Sequence, residues 1–222
     1  MGKRGPKPRK IISEKWSPQL AYAIGLLATD GCLSYPSHLI DLTSVDKEQL
    51  ENFRKCLRVD FYIGKKSGGN GLFALRVQFK NVLFYEFLVS IGLSPAKSKT
   101  LGKLAIPEKY FFHFLRGVFD GDGSSYSYWD PRWRSSFMYY LCFASASRTF
   151  IDWLRAEIEK HLSIKGHITT ARTRNVCYQL KYAKAEGLML ARRMYRDAPR
   201  NTFLKRKRLK IDAMLDIVGE HL

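Results

Sequence analysis

Two nine-residue stretches decide the fold of this chain: AIGLLATDG at residues 23–31 and LRGVFDGDG at residues 115–123. Each has a glycine, four further residues and then Asp-Gly, at the end of a pattern that predicts a helix. A glycine inside a helix costs about 1 kcal/mol relative to alanine, so its recurrence in both stretches indicates a shared purpose. We expect Gly25 and Gly117 to let the two helices approach closely. Asp30 and Asp122 would then lie side by side at the helix ends.

The segments that follow the two stretches repeat one order of elements. In the first half the patterns predict a helix from Ser17, a strand over 39–45, a helix over 47–57, a hairpin and a helix over 82–91. In the second half they predict a helix opened by Pro107, a strand over 137–145, a helix over 149–162, a hairpin and a helix over 185–194.

The repeat predicts the fold class and the domains. We expect an α+β fold of tandem pseudo-twofold αββαββα repeats within a monomer, with the two motif helices paired along the pseudo-twofold axis. The expected parts are a basic N-terminal arm (1–14), an N-terminal repeat (15–104) and a C-terminal repeat (105–222).

The composition favours a polyanionic partner. The chain has 222 residues, with 38 Lys and Arg against 20 Asp and Glu, and a formal net charge of +18. Nucleic acid is the partner that such a surplus favours, and a ribosome-type or membrane-surface protein is the alternative on charge alone.

No stretch reaches the roughly 18 apolar residues of a membrane span, and no apolar segment follows the basic N-terminus as in a signal peptide. We therefore expect an intracellular protein. The four cysteines form no CxxC pair, which argues against a zinc site or a disulfide framework.

The first ten residues, MGKRGPKPRK, carry five cations and no acid. This composition predicts an extended arm without a core of its own. Its KRGPKPRK segment is similar to an AT-hook and so predicts contact with the DNA minor groove; a solubilising tail or a localisation signal is the alternative.

The expected pairing of the two aspartates indicates a bound cation. The C-terminus of a helix already has about half a negative charge, so two carboxylates at two such ends repel each other and both dipoles. A hard divalent cation reverses the sign of this energy, and Mg²⁺ suits one or two carboxylates together with phosphate oxygens. In a basic protein, the DNA backbone supplies such a phosphate.

The two stretches resemble the LAGLIDADG motif of homing endonucleases, and two copies in one chain resemble the monomeric, double-motif members. The resemblance covers about residues 17–210. It implies two saddle-shaped antiparallel sheets over the major groove of double-stranded DNA, with the motif helices at the centre. The implied activity is a metal-dependent double-strand break in a long asymmetric site. The implied cofactor is Mg²⁺, with Mn²⁺ as a substitute and Ca²⁺ bound without cleavage.

Position by position, the resemblance makes Asp30 and Asp122 the metal ligands, with the main-chain carbonyls of Thr29 and Gly121 facing the metal. An earlier acidic position of the motif is Ala28 in the first copy and Asp120 in the second, which favours a structural role for Asp120. Arg116 replaces the small residue usual before the motif glycine. We expect it either to loosen the helix contact or to point toward solvent.

The resemblance also implies a catalytic lysine near each metal. The best matches are Lys97 and Lys207, and their neighbours Lys99 and Lys205 are alternatives. A polar residue at the end of the second strand orients water in the family. Ser44 and Ala146 are the residues we assign to that place, and Ala146 cannot fill the role.

DNA reading is assigned to side chains that alternate along the predicted hairpins. Arginine and glutamine are suited to guanine and adenine edges, and lysine to phosphates. The predicted DNA-binding residues are Lys65, Lys66, Arg76, Gln78, Lys80, Arg172, Arg174, Gln179 and Lys181. Asp41 and Asp46 are interpreted as structural acids, and the aromatic SYSYWDPRWR segment at 125–134 as a packed loop.

Two functions of different class remain open on the sequence. One is the endonuclease. The other is a catalytically silent DNA- or RNA-binding protein, such as an intron maturase or a regulator. The presence of both aspartates and of a candidate lysine in each half favours the enzyme.

Overall fold

The computed structural model describes residues 8–67, 73–133, 135–172 and 176–222. Its helices are α1 (Pro18–Thr29), α2 (Lys47–Leu57), α3 (Val82–Ser90), α4 (Phe111–Asp122), α5 (Arg148–Leu162), α6 (Lys184–Tyr195) and α7 (Lys205–Asp216). Its strands are β1 (Gly31–Ser34), β2 (Leu39–Ser44), β3 (Ile63–Ser67), β4 (Phe73–Lys80), β5 (Ser124–Trp129), β6 (Phe137–Ser145), β7 (His167–Arg172) and β8 (Val176–Ala183).

The strands form two four-stranded antiparallel sheets with the same topology. Their orders are β1-β2-β4-β3 and β5-β6-β8-β7. The registers also agree, because Ser44 pairs with Leu75 in the first sheet and Ser145 pairs with Tyr178 in the second. The predicted fold class, with paired repeats and antiparallel sheets, is confirmed.

The core lies between the sheets and the helices. Alternate strand residues are buried on the helix side, such as Ile40 and Leu42 of β2 and Leu141 and Phe143 of β6. Helix α1 is buried along nearly its whole length, from Leu20 to Ala28. Since α1 and α4 pack against each other at the centre, the two halves share one continuous core.

Side-chain caps fix where several helices begin. Ser17 Oγ accepts a hydrogen bond from Leu20 N at 3.1 Å, and Pro18 occupies the first helical position of α1. Asp46 caps α2 through Glu48 N at 3.1 Å, and Asn81 caps α3 through Phe84 N at 2.9 Å. These are the residue types that satisfy free N–H groups at helix starts.

Some elements differ from the sequence predictions. Helix α4 begins at Phe111 rather than at Pro107, because a 3-10 turn over Glu108–Tyr110 intervenes. The segment interpreted as a packed loop contains β5, which pairs with β6 along its whole length. Strand β1 follows Asp30 directly and was not predicted. The predicted turn at 68–71 lies outside the described residues.

The segment predicted as a basic N-terminal arm contributes a residue to the core. Residues 1–7 of the arm lie outside the described residues, but Ile12, within the predicted 1–14 segment, is only 2% exposed and belongs to the core.

In the described ranges, no helix combines the length and hydropathy that a membrane crossing requires.

Candidate active site and nucleic-acid interface

The two motif helices touch backbone to backbone at their glycines. A Cβ atom on Gly25 would collide with the Phe114 carbonyl oxygen and lie 2.8 Å from Gly117 Cα. A Cβ on Gly117 would collide with the Tyr22 carbonyl oxygen and lie 3.0 Å from Gly25 Cα. Only glycine fits at either position, so these two residues set how closely α1 and α4 approach.

This close approach brings the helix C-termini, and with them Asp30 and Asp122, to one place. Asp30 reaches across toward α4, because a Cβ built on Gly121 would lie 3.1 Å from Asp30 Oδ2. Asp30 is half-buried, and Asp122 lies at the more open edge of the same junction.

The electrostatic consequence of this pairing appears in the pKa values. Desolvation at the junction, followed by the negative charge of Asp30, raises the pKa of Asp122 to about 6. Burial raises the pKa of Asp30 above its usual range, against the opposing effect of a hydrogen bond from Gln49. The site therefore disfavours two negative charges, as the sequence argument anticipated.

Lys97 and Lys207 hold equivalent places at the two helix ends. Lys97 Nζ donates to the Gly31 carbonyl oxygen at 2.6 Å and makes a longer contact of 3.4 Å with that of Thr29. Lys207 Nζ donates to the Gly123 carbonyl oxygen at 2.7 Å and contacts that of Gly121 at 3.2 Å. The same two carbonyls of each motif thus contact a lysine.

The two lysines differ in how many of their N–H groups donate hydrogen bonds to the protein. Lys207 Nζ also bonds the carbonyl oxygens of Phe119 at 2.6 Å and Asp120 at 2.8 Å, so its short hydrogen bonds alone account for its three N–H groups. Burial lowers the pKa of Lys207 to about 8 and also lowers that of Lys97. The alternative lysines, Lys99 and Lys205, are exposed.

Arg116 does not point toward solvent. It is 1% exposed; its Nε donates to the Thr202 carbonyl oxygen at 2.5 Å and its Nη2 to Thr202 Oγ1 at 2.9 Å. Nη1 donates to the Met194 carbonyl oxygen. The expectation of a solvent-facing Arg116 was wrong, because the segment between α6 and α7 folds over this face of α4 and needs donors for its carbonyls.

Asp120 ties the same segment to the motif helix. Its Oδ2 accepts hydrogen bonds from Tyr22 Oη at 2.8 Å and from Leu204 N at 2.7 Å. Burial raises its pKa to about 6. These contacts hold the start of α7, the helix that carries Lys207, and they give Asp120 a structural place in this site.

A polar chain leads to Asp30 and was missed by the sequence argument. Gln49 Nε2 donates to Asp30 Oδ2 at 2.6 Å, and Ser44 Oγ donates to Gln49 Oε1 at 2.8 Å. The signal that could have found Gln49 is its place in the first turn of α2, where a 3% exposed amide is unusual.

The counterpart of Ser44 in the second half is Ser145 rather than Ala146. Ser44 Oγ accepts from Asp46 N at 3.0 Å, and Ser145 Oγ accepts from Ser147 N at 3.1 Å. The sequence prediction assigned this position to Ala146, one residue beyond the end of β6. A hydroxyl is therefore present at this position in both halves.

The first sheet presents the predicted reading residues on one face. Arg76, Gln78 and Lys80 alternate along β4 with the buried Val77 and Phe79. Their face points away from the helices, as required of residues that contact DNA.

Asp41 lies among these residues and organises them. Gln78 Nε2 donates to Asp41 Oδ2 at 3.1 Å, and Arg76 Nη1 and Lys66 Nζ lie 3.7 and 3.9 Å from the same oxygen. Asp41 is 7% exposed, so it acts as a buried anchor for neighbouring polar and cationic side chains.

Lys65 and Lys66 lie on opposite faces of β3. Lys66 pairs with Ala74, on the face of Arg76 and Gln78, whereas Lys65 pairs with Leu75 on the helix side. Because strand residues alternate between faces, the predicted contact of Lys65 with DNA through this sheet face conflicts with the register.

The second sheet shows fewer charges on the equivalent face. Gln179 and Lys181 lie there on β8, paired with Ala144 and Cys142. Arg172 pairs with Val176 at the end of the hairpin, nothing further being described of its side chain, and Arg174 lies outside the described residues.

Stacked tyrosines replace charges on this second face. The ring of Tyr140 stacks on Tyr126 at a centroid distance of 4.9 Å and on Tyr128 at 6.2 Å. The SYSYW pattern of β5 puts Tyr126 and Tyr128 on one side of the strand. The prediction of a packed loop for these aromatics was wrong, because they stack across the two paired strands β5 and β6.

The residues at the helix junction fit a magnesium ion by donor chemistry. Within the described part of the chain, no group of three or more His, Cys, Asp or Glu side chains could hold a metal. Two carboxylates and neighbouring carbonyl oxygens are nevertheless the small, hard donor set with which Mg²⁺ is bound when a substrate phosphate completes the shell. The mutual repulsion of Asp30 and Asp122 is what a bound cation would relieve.

The comparisons with known proteins bear on the fold. No protein-family model matches the chain, and no curated protein matches its sequence at a significant level. Solved structures with the same arrangement include the homing endonuclease I-WcaI bound to its DNA recognition sequence, which is 13% identical over 93% of this chain and 94% of that chain, with a TM-score of 0.58. The I-LtrWI LAGLIDADG homing endonuclease bound to target DNA is 12% identical over 91% of each chain, also with a TM-score of 0.58.

Full-length DUF199/WhiA from Thermatoga maritima is similar as well. It is 15% identical, with a TM-score of 0.56 over 93% of this chain, and the present chain spans 63% of its length. The N-terminal LAGLIDADG domain of DUF199/WhiA matches at a TM-score of 0.53. At these identities the likenesses concern the fold alone, and they include proteins that do and do not carry an endonuclease name.

Proposed function

Because the chain has the LAGLIDADG fold, we propose that it is a sequence-specific DNA endonuclease that hydrolyses one phosphodiester bond in each strand of a long asymmetric site. The observation that carries the proposal is the junction of the motif helices, where two carboxylates with raised pKa values lie between two buried lysines. Such a costly arrangement is expected at a functional site, because functional sites are where local rules of stability are broken.

The proposal assigns the metal to the helix ends. Asp30 and Asp122 would hold Mg²⁺, with the carbonyl oxygens of Thr29 and Gly121 nearby. When bound, this metal supplies charge neutralisation at the phosphate and lowers the pKa of the attacking water. Both carboxylates must be ionised for this, so their raised pKa values favour activity above about pH 6.

The lysines contribute positive charge close to the scissile phosphates. The contacts of Lys207 occupy its three protons with carbonyl oxygens, so we assign it an electrostatic role rather than proton transfer. Lys97 makes one short hydrogen bond and keeps donors for a phosphate oxygen. The two strands would therefore be cut by sites of unequal composition.

The sheets supply the contact with DNA. Arg76, Gln78 and Lys80 on one side and Gln179 and Lys181 on the other would face the major groove of a duplex that passes beneath the helix junction. Arginine and glutamine read base edges by paired hydrogen bonds, and lysine holds phosphates. The proposed partner is therefore double-stranded DNA, bound by a monomer.

Cleavage of a plasmid library with randomised inserts, in the presence of Mg²⁺, tests the proposal. The wild type should linearise a discrete subset of plasmids, and the sequences selected give the target. Asp30→Asn and Asp122→Asn should only nick or leave the plasmids intact, while still binding the selected site. Asp197→Asn, which removes an exposed carboxylate elsewhere, should cut like the wild type.

One result would overturn the enzymatic proposal. If no variant cuts with Mg²⁺ or Mn²⁺ although all bind DNA or RNA, the chain is a binding module of the same fold. The carboxylate pair would then have another purpose.

A further inference from the structure

A basic recess lies at the N-terminal end of α1, remote from Asp30 and Asp122. It has a volume of about 400 Å³ and is formed by the segment before α1, the C-terminal end of α2 and the loop before α7. Its charged lining residues are Lys15, Lys55, Arg58 and Arg200, and no Asp or Glu lines it within the described chain. The recess therefore concentrates positive charge around a concave surface.

The four cations are exposed, and none of them makes an ion pair with a carboxylate of the described residues. Lys55 has only a long hydrogen bond, of 3.5 Å, to Asn201 Oδ1. Other exposed cations of the same half do find acidic partners, for example Lys10 with Glu14 at 2.8 Å and Lys47 with Glu51 at 3.3 Å. The recess thus gathers four cations that no carboxylate of the described residues neutralises.

The backbone that carries these cations is held firmly. Arg58 caps α2 in the left-handed region at φ 56°, and its N–H donates to carbonyl oxygens in the last turn. The loop that carries Arg200 is fixed to α2, because Asn52 Nδ2 donates to the Phe203 carbonyl oxygen at 2.9 Å and Cys56 Sγ to that of Asn201 at 3.3 Å. The arrangement is preorganised rather than a set of side chains on a loose loop.

The second half of the molecule shows that the fold does not need this charge. At the corresponding place, before α4 and at the end of α5, Glu108 lies 3.3 Å from Lys160 and 3.7 Å from His161. Lys15 and Glu108 each stand three residues before their motif helix. The pseudo-twofold partner of the recess is therefore neutralised by its own acid, and the cations of the first half are left for an external anion.

The recess and the carboxylate pair lie at opposite ends of α1. Helix α1 has 12 residues between the recess and Asp30, which corresponds to about 18 Å at 1.5 Å per residue. Helix α2 runs in the opposite direction, about 14 Å from Gln49 beside Asp30 to Arg58 at the recess. The reading face of the first sheet points away from the helices, whereas helix ends form the recess, so a duplex on that face leaves the recess open.

We propose that this recess binds the phosphate backbone of a second, single-stranded nucleic acid. Four cations exceed what one phosphate needs, and a concave site of this volume accepts a single backbone but not a double helix. Binding of single strands in basic grooves is driven by such cation–phosphate contacts. This inference goes beyond the endonuclease proposal and does not depend on cleavage.

Fluorescence anisotropy with a labelled oligouridine of about 20 nucleotides, in EDTA and with excess unlabelled random duplex, tests the proposal. The probe should bind the wild type despite the duplex. Arg58→Asn with Arg200→Gln should weaken binding about tenfold and reduce the slope of log affinity against log salt by about 1.4, since each lost cation–phosphate contact contributes about 0.7. Asparagine tolerates the left-handed region, so this variant should fold, which thermal unfolding would verify.

The matched control is Lys160→Gln with Lys165→Gln, which removes the same charge from the corresponding place in the second half. It should bind the probe like the wild type. The proposal fails if both double variants weaken binding equally, if excess duplex displaces the probe completely, or if uridine monophosphate competes as well as the oligonucleotide. Because no metal or cleavage enters this experiment, its failure leaves the endonuclease proposal untouched.

Discussion

Gly25 of α1 and Gly117 of α4 face each other so closely that a Cβ atom on either would lie within 3.0 Å of the other's Cα. The positions of Asp30 and Asp122 at the helix junction depend on this contact, because each aspartate follows its glycine by five residues.

Alanine at Gly117 should destabilise the protein. The added Cβ meets backbone atoms of α1 that cannot move without separating the helices, and overpacking of this kind costs about 1–3 kcal/mol. Gly102→Ala is the control, because its added Cβ would have no atom within 4 Å. Urea unfolding should show a lower free energy of unfolding for Gly117→Ala alone; equal stability of the two variants would contradict the backbone contact.

Neutralising Asp122 should stabilise the metal-free protein in a pH-dependent way. Its pKa is about 6 in the folded protein, above its ordinary value of 3.8, so the folded state favours the protonated form. The stability linked to this proton is fully present below about pH 4 and is lost as the pH rises through about 6. Asp122→Asn should therefore melt at a higher temperature than the wild type at pH 7.5, and the difference should vanish near pH 4.

Thermal unfolding in EDTA across this pH range measures the effect. Asp197→Asn, at an exposed site, should show no such pH dependence. A wild type that is more stable than Asp122→Asn at pH 7.5 would contradict the repulsion between the carboxylates.

Magnesium should reverse the sign of that difference. A ligand that binds only the folded state stabilises it in proportion to the logarithm of its concentration above Kd. The melting temperature of the wild type should rise with Mg²⁺ at pH 7.5, and those of Asp30→Asn and Asp122→Asn should rise less. Identical shifts in these variants, in Asp197→Asn and in the wild type would exclude a site between the carboxylates.

The extent to which the sequence predicts this molecule depends on how local each feature is. The helix caps, the strand alternation and the two motifs are local patterns, and they predict the fold class and the pairing of the halves. Strand β1 has only four residues and starts at a helix end, so it has no pattern of its own. In β5, serines alternate with tyrosines. This alternation belongs to a strand with one aromatic face, but it was interpreted as a loop.

The contacts around the site are less predictable because they join distant segments. The hydrogen-bond partners of Arg116 lie 78 and 86 positions further along the chain. No local sequence pattern predicts these contacts. The same holds for Gln49, whose partner Asp30 belongs to a different element. Lys97 and Lys207 were found from the resemblance, and their shared carbonyl contacts are visible only in three dimensions.

Replacing Lys207 should cost stability as well as activity. Its ammonium group satisfies carbonyl oxygens at the C-terminus of α4, and hydrogen bonds to a charged group contribute about 1.5–3 kcal/mol. Lys207→Met should lower the free energy of unfolding by that amount, while Lys205→Met, at an exposed neighbour, should change it by less than about 0.5 kcal/mol. Chemical denaturation of both variants at pH 7 decides the matter; equal values would mean that the buried lysine does not support the helix end.

Asp41 should govern the selectivity of the first sheet for DNA sequence. Its carboxylate binds Gln78 and attracts Arg76 on the face proposed to meet the groove. Asp41→Asn keeps the shape but removes the charge that holds these side chains, so they should adapt to more base pairs. Affinity for random duplex should rise, because one negative charge near the phosphates is lost, and the ratio of specific to random binding should fall about tenfold, within the 1–3 kcal/mol of one paired base contact. Titration of the selected target and of a random duplex at equal salt measures the ratio, with Asp197→Asn as the control for net charge. An unchanged ratio for Asp41→Asn would mean that Arg76 and Gln78 are positioned by the strand itself rather than by the buried carboxylate.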